Sequence, residues 1–323
     1  MKRLKQILLQ HNVIILLTIL ILFFSITIGK YFLTGINLHN LSRQISFDIP
    51  LALALTFVMI AGGLDLSVGS VLSMGAALTM GLQSNGTVFA VLVAMAFGVA
   101  IGFINGMLVT KGRVVPFIAT LGTMTFVRGV MLTYTKQRPI AGTSEAFTFW
   151  GAGSIGFIPV PIIIVLIVCL ILHILLKYTK IGRNMYAVGG NADAAFLAGI
   201  NIFRTKLFAF MVAGGLSALS GILLASNLNS STVHLGLQSN LWAIAAAIIG
   251  GASMTGGKGN VLGAILGVVT LSILTNGMNL IGVRSYYQIG IRAIVLISVV
   301  SIDAISAMNI RKQQLMQAYG LRQ

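Results

Sequence analysis

The stretch YTKIGRNMYAVGGNADAAFLAGINIFRTK, residues 178–206, is the only long hydrophilic segment of the chain. Apolar runs flank it at 158–177 and 206–226, each close to the roughly 20 residues that cross a bilayer as a helix. The pattern repeats toward both ends, with runs at 13–29, 46–62, 66–82, 87–109, 115–134, 158–177, 206–226, 240–254, 260–280 and 287–307. The expected fold is an all-α integral membrane protein of about ten transmembrane helices. It forms a single domain over 1–323, with 178–206 as its structured loop. Several runs are short for a full crossing, so interrupted, tilted or protein-shielded helices are expected among them.

Composition supports this reading. Of 323 residues, 57% are hydrophobic and 8% charged, giving a mean hydropathy of +0.99. So few charges cannot wet a soluble surface. The 21 basic and 5 acidic residues give a net charge of +16. The basic residues sit in short clusters between apolar runs, which fits cytoplasmic retention of Lys and Arg rather than a nucleic-acid partner. With the N-terminus inside, 14 basic residues fall on inner segments. Five (Lys30, Arg43, Lys136, Arg138 and Arg284) fall on outer ones. This asymmetry predicts cytoplasmic N- and C-termini and a cytoplasmic 178–206 loop. Arg128 and Arg292 lie within spans, near their outer ends, and are expected to snorkel to the interface. The opening MKRLKQ and apolar 13–28 imitate a signal peptide but lack a small-residue cleavage site, which predicts an uncleaved first span.

Catalytic and metal chemistry find little support. Cys169 is the only cysteine, and His11, His39, His173 and His234 are scattered without ligand spacing. The expectation is a transport subunit rather than an enzyme, with no metal site and no cofactor bound by this chain. Asp48, Asp65 and Asp303 are placed at span ends, and Glu145 and Asp193 in loops. That placement disfavours a proton-driven carrier, which needs a titratable carboxylate at mid-depth.

Five segments carry the remaining signal. Glycines recur every four residues at Gly98, Gly102 and Gly106, and again at Gly259, Gly263 and Gly267, which puts small residues on one helix face for close packing. The two ladders lie five spans apart, on helices of opposite direction, and suggest an inverted repeat. In GGLDLSVGS (62–70) paired glycines break the helix, and Asp65, Ser67 and Ser70 are candidates to line a polar path. Asn105, Asn276 and Gln288 are further path candidates, as polar groups at break points. The run Ala252–Gly259 approaches a phosphate-binding loop but has Ala252 for its first glycine and Gly259 for its Ser/Thr, so it does not bind ATP. In the hydrophilic loop, Asn191 is a good N-cap, Asp193 suits the first turn, and Gly199 is a natural stop. These bracket a helix of about two turns that only packing can hold.

The motifs GGLDLSVGS (62–70), FIATLGTMTFVRG (117–129), GRNMYAVGGNADAAFLAGI (182–200), GGASMTGGKGNVLGA (250–264) and NGMNLIGVRSYYQ (276–288) occur in one order over nearly the whole chain. Together they resemble the permease subunits of ribose-type monosaccharide ABC importers, a group that extends to the branched-chain amino-acid permeases. The resemblance implies a bacterial inner-membrane permease that forms the path for a ribose-like sugar. It implies four further components: a periplasmic sugar-binding protein, a second permease copy or paralogue, ATP-binding cassette subunits, and ATP with Mg²⁺ on those subunits. It also implies that 182–200 holds the helix that couples to the ATPase, through Gly182, Arg183, Gly189, Gly190, Asn191, Ala194, Ala195 and Gly199. Two departures stand out. Asn240 replaces the usual Glu before Leu241, and Arg284 replaces a small uncharged residue. A self-sufficient secondary carrier or channel for a small neutral solute is the alternative.

Overall fold

The computed structural model describes residues 12–318; Lys2, Arg3, Lys5, His11 and Arg322 lie outside that range. The chain is a helical bundle. Among the described residues, seven helices are long and apolar enough to cross a membrane: α1 (Asn12–Ile28, with a following 3₁₀ turn), α2 (Gly35–Ile60), α4 (Thr87–Thr110), α5 (Pro116–Thr135), α7 (Val160–Tyr178), α10 (Ile202–Leu228) and α12 (Val261–Ile281). Between them lie α3 (Val68–Gly81), α6 (Glu145–Ala152), α8 (Lys180–Gly190), α9 (Ala192–Leu197) and α11 (Ser239–Ile249). The helix α13 (Ser285–Ala318) closes the described chain.

Two of the predicted spans are not full crossings. α3 has 14 residues and α11 has 11. At about 1.5 Å per residue they cover about 21 Å and 17 Å of a roughly 30 Å core. Each adjoins non-helical backbone, 61–67 before α3 and both 232–238 and 250–260 around α11. Such backbone survives in a membrane protein only where other protein satisfies its polar groups. α3 is almost wholly buried, as is the inner part of α11, so protein rather than lipid surrounds both.

A second difference concerns α2. Sequence reading begins the span at residue 46, whereas the helix begins at Gly35, capped by the Thr34 hydroxyl, which accepts from the Asn37 N–H. Asp48 therefore lies near the middle of a 26-residue helix rather than at its end. Pro50 interrupts the hydrogen bonding of the same helix. The missing N–H frees the Ser46 carbonyl, and Ser220 on α10 donates to the adjacent Phe47 carbonyl at 2.5 Å.

α2 and α10 form the centre. α10 packs against α2, α3 and α4, and α2 packs against α11 and α12. α3 rests on α4 and α5, and α11 rests on α12 and α13. α1 is peripheral and leans on α12, its Phe24 ring seated over Gly277. Two short antiparallel pairs, Ile140–Ala141 with Ser230–Ser231 and Ser154–Ile155 with Ile158–Pro159, tie down loops at the end of the bundle away from α8 and α9.

The first glycine ladder makes the α4–α10 contact. A Cβ on Gly98 or Gly102 would stand 2.4 Å from the Gly214 carbonyl oxygen or 2.2 Å from that of Phe210, so the two backbones meet directly. In the second ladder, Gly263 and Gly267 seat α12 against Gly250, which ends α11, and Ala246 within it, while Gly259 precedes α12. Gly214→Ala, whose Cβ would lie 2.0 Å from the Gly98 carbonyl oxygen, is expected to strain this contact. At about 2–3 kcal/mol of overpacking it should lower Tm in detergent by roughly 3–5 °C. Gly122→Ala, with no atom within 4 Å of its added carbon, should leave Tm unchanged. A thermal scan on both variants checks this.

Candidate functional site

The hydrophilic loop folds as two helices, not one. Thr179 caps α8, its hydroxyl accepting from the Gly182 N–H at 3.3 Å. Asn191 ends α8 and starts α9, its side chain accepting from the Ala194 N–H at 2.9 Å. Gly199, at φ +77°, lets the chain leave α9 with the Ile200 N–H bonded to the Ala195 carbonyl. Ala195 is buried beneath the helix. On the other side Phe196 and Leu197 are 68% and 86% exposed, an apolar pair on the one segment with loop composition. Ala194 and Arg183 are also exposed, and Arg183 Nη1 donates to the Tyr178 carbonyl at 3.4 Å. Sequence reading missed α8, because KIGRNMYAVGG carries three glycines and only one side of apolar residues.

α8 ends in a junction of three glycine pairs, Gly62–Gly63, Gly189–Gly190 and Gly256–Gly257. A Cβ on Gly189 would stand 1.8 Å from the Ile60 carbonyl oxygen and 2.6 Å from the Gly257 nitrogen. The Gly257 N–H itself donates to that Ile60 carbonyl at 3.0 Å. One on Gly256 would lie 2.4 Å from the Gly189 oxygen and 3.0 Å from Gly62 Cα. Tyr186, one turn back on α8, donates its hydroxyl to the Gly259 carbonyl at 2.7 Å. Burial raises the Tyr186 pKa, so the phenol stays protonated and keeps donating. The loop helices thus bear directly on two of the breaks in the bundle, 61–67 and 250–260. Three motifs that are distant in sequence meet there.

The path candidates fall into separate groups. Asp65, Ser67 and Asn105 come together. Asp65 accepts from the Ser67 N–H at 2.8 Å and hydroxyl at 2.6 Å, and Asn105 donates to Ser67 at 2.9 Å. Thr123 completes the network by donating to Asn105 Oδ1 at 2.7 Å. All but Thr123 are essentially fully buried. Ser70 is buried nearby on α3. Asn276 exchanges two hydrogen bonds with Asn37, at 3.0 and 2.8 Å, and Gln288 donates to Asn279 at 2.7 Å. The structure does not bring these last two to the Asp65 network.

Neither intramembrane arginine behaves as a snorkelling side chain. Arg128 turns inward, donating to the Val233 carbonyl and, at 3.4 and 3.5 Å, to Ser73 and the Leu235 carbonyl. It satisfies the non-helical backbone ahead of α11, which hydrocarbon could not do. Arg292 is stacked on Trp242, its guanidinium carbon 5.0 Å from the ring centre, and shares a cavity with Asp48. Sequence reading missed this cavity because it placed Asp48 at a helix end and read each charge singly. Of the two departures, Asn240 contacts Met124 Sδ at 3.6 Å, and Arg284 donates to the exposed Tyr286 hydroxyl at 2.9 Å. Among the described residues, no three His, Cys, Asp or Glu side chains cluster as metal ligands.

Comparison with known proteins adds the family. The model described as "Branched-chain amino acid transport system / permease component" matches residues 37–300. The ribose import permease protein RbsC of Bacillus subtilis is 42% identical over 291 residues, covering 89% of this chain and 90% of that protein. RbsC of Escherichia coli K12 is 39% identical over 303 residues, at 92% and 94% coverage. The D-allose transport system permease protein AlsC of E. coli K12 is 35% identical over 298 residues, at 91% of each chain. No solved structure matches. With seven helices among the described residues long and apolar enough to cross a membrane, and a family match across most of its length, this chain belongs to the branched-chain amino acid transport system permease component family.

Proposed function

We propose that this chain is the membrane permease subunit of an ATP-driven importer and forms the translocation path for a ribose-like monosaccharide. The observation that carries the reading is end-to-end similarity near 40% to relatives named as ribose import permeases. In this reading ATP and Mg²⁺ belong to a separate ATP-binding cassette subunit, since Ala252–Gly259 lacks a complete phosphate loop. A periplasmic binding protein delivers the sugar, and a second permease copy or paralogue completes the path. The chain sits in a bacterial inner membrane as about ten apolar segments, with both termini and the 178–206 coupling loop in the cytoplasm.

Several features support the parts of this reading. Phe196 and Leu197 give an ATPase an apolar surface on a capped helix. The coupling residues Gly182, Arg183, Gly189, Gly190, Asn191, Ala194, Ala195 and Gly199 shape and seat that helix. The packing of the segment α2–α5 on α10–α13 is reciprocal, each central helix pairing with the short and following helices of the other half. That exchange is what an inverted repeat would give. Asp65, Ser67, Ser70, Asn105, Asn276 and Gln288 remain our candidates for the path. Most are now buried or bonded to neighbours, so passage requires the break segments to separate, as alternating access demands.

The secondary carrier gains one point, because Asp48 is at mid-helix. The relatives weigh against it. Membrane vesicles carrying the permease, a cassette ATPase and a sugar-binding protein should take up labelled ribose only when ATP is supplied. Uptake driven by a proton gradient without the ATPase would overturn the importer reading.

A further inference from the structure

We propose that the cavity between α2, α11, α12 and α13 is a weak monosaccharide subsite inside the membrane domain. The proposal rests on the importer reading and adds a binding station to it. The cavity holds about 280 Å³. Drug-sized ligands fill pockets from roughly 300 Å³ upward, so this one suits a single sugar ring.

Its walls combine an aromatic face with polar groups that lack partners. Trp242 presents an indole on α11, and Gln44 stands one turn before Asp48 on the same face of α2. Gln238 opens α11 from a left-handed backbone position at φ +63°. Thr275 is 4% exposed, lines the cavity, and its Oγ1 has no hydrogen-bond partner. Arg292 Nε is buried and likewise unpartnered. Asp48 and Arg292 face the same space without a direct ion pair among the described residues.

Unsatisfied polar atoms at membrane depth are costly and mark functional positions. A neutral polyol resolves each of them. Its hydroxyls can donate to the Asp48 carboxylate and accept from Arg292 and the amides, while its C–H groups pack beside the Trp242 indole and the Arg292 that covers it. The two charges cancel, so an uncharged guest leaves the site neutral. Transport requires a site that also releases its guest, which sets half-saturation on the order of 1 mM.

The chain holds two tryptophans, and the other, Trp150, is 52% exposed on α6. Trp150→Phe therefore makes Trp242 the sole indole reporter. In the full chain in lipid nanodiscs, D-ribose should change its emission saturably, and L-leucine should not. On this background Thr275→Val, which keeps the volume and removes the hydroxyl, should weaken binding about threefold to tenfold. Asp48→Asn should weaken it more than tenfold. Absence of a saturable ribose signal, a response to L-leucine instead, or unchanged affinity in Thr275→Val and Asp48→Asn would each overturn the subsite. ATP-dependent uptake in vesicles separates the two readings. Unchanged uptake in both variants removes the subsite and leaves the importer standing, whereas absent ATP-dependent uptake in the wild type removes the importer itself.

Discussion

Replacing Phe196 and Leu197 together by serine is expected to cut ATP-dependent sugar uptake at least about a hundredfold while the permease still inserts and folds. Both side chains point away from the bundle, at 68% and 86% exposure, so this chain loses little packing when they shrink. Surface changes of that kind usually stay within about 0.5 kcal/mol of wild-type stability. A docked partner loses far more. Burying a Phe or Leu contributes about 1.5–3 kcal/mol, so the pair contributes roughly 3–6 kcal/mol to the joint, a hundredfold or more in affinity. The cap makes the loss local. Asn191 still bonds to the Ala194 N–H and Gly199 still ends the helix, so the backbone of α9 persists. Two measurements check the result, labelled-ribose uptake in vesicles and the amount of ATPase that co-purifies with the permease. Wild-type values for both would remove the docking role from this helix. Arg183→Ala should have a smaller effect on the same assays, since its guanidinium also bonds within the loop, to Tyr178.

The helices of the 178–206 loop and of the bundle were legible in the sequence to different depths. α9 could be read to its ends because a cap, a first-turn acid and a stop glycine are local signals. Most spans were legible because lipid demands long apolar runs. Residues 35–45 were not, although they are helical. Asn37 is 8% exposed and paired with Asn276 across the bundle, a neighbour 239 positions away that no local window can see. Hydropathy assumes lipid neighbours, and here the neighbour is protein. The same blindness moved Asp48 to a helix end and hid its cavity. The short lengths of α3 and α11 were half legible, since glycine pairs signal breaks but do not reveal how much backbone stays unwound. The meeting of Gly62, Gly189 and Gly256 was not legible at all. Isolated glycine pairs such as these carry no hydrophobic periodicity, and their contacts are made by backbone atoms.

Gly189→Ala is expected to cut uptake at least about tenfold by the opposite failure, with the ATPase still attached. The added carbon would fall 1.8 Å from the Ile60 carbonyl oxygen and 2.6 Å from the Gly257 nitrogen. Neither is the end of a flexible side chain, so α8 must shift away or the Gly257–Ile60 hydrogen bond must open. Either change separates the loop helices from the two breaks they press on, while the Phe196–Leu197 surface keeps its shape. ATP hydrolysis should continue in the purified complex, and ribose uptake should fall at least about tenfold, the factor that 1.4 kcal/mol of lost coupling would give. Gly190→Ala, with no atom within 4 Å of its added carbon, should do less. If Gly189→Ala reduces the folded fraction, Tyr186→Phe gives an independent reading, since it removes only the 2.7 Å bond to the Gly259 carbonyl. About 1 kcal/mol for that bond predicts a roughly fivefold loss of uptake at unchanged ATPase retention. Uptake within twofold of wild type in folded Gly189→Ala and Tyr186→Phe would mean that motion reaches the path by another route, and the glycine junction would be packing alone.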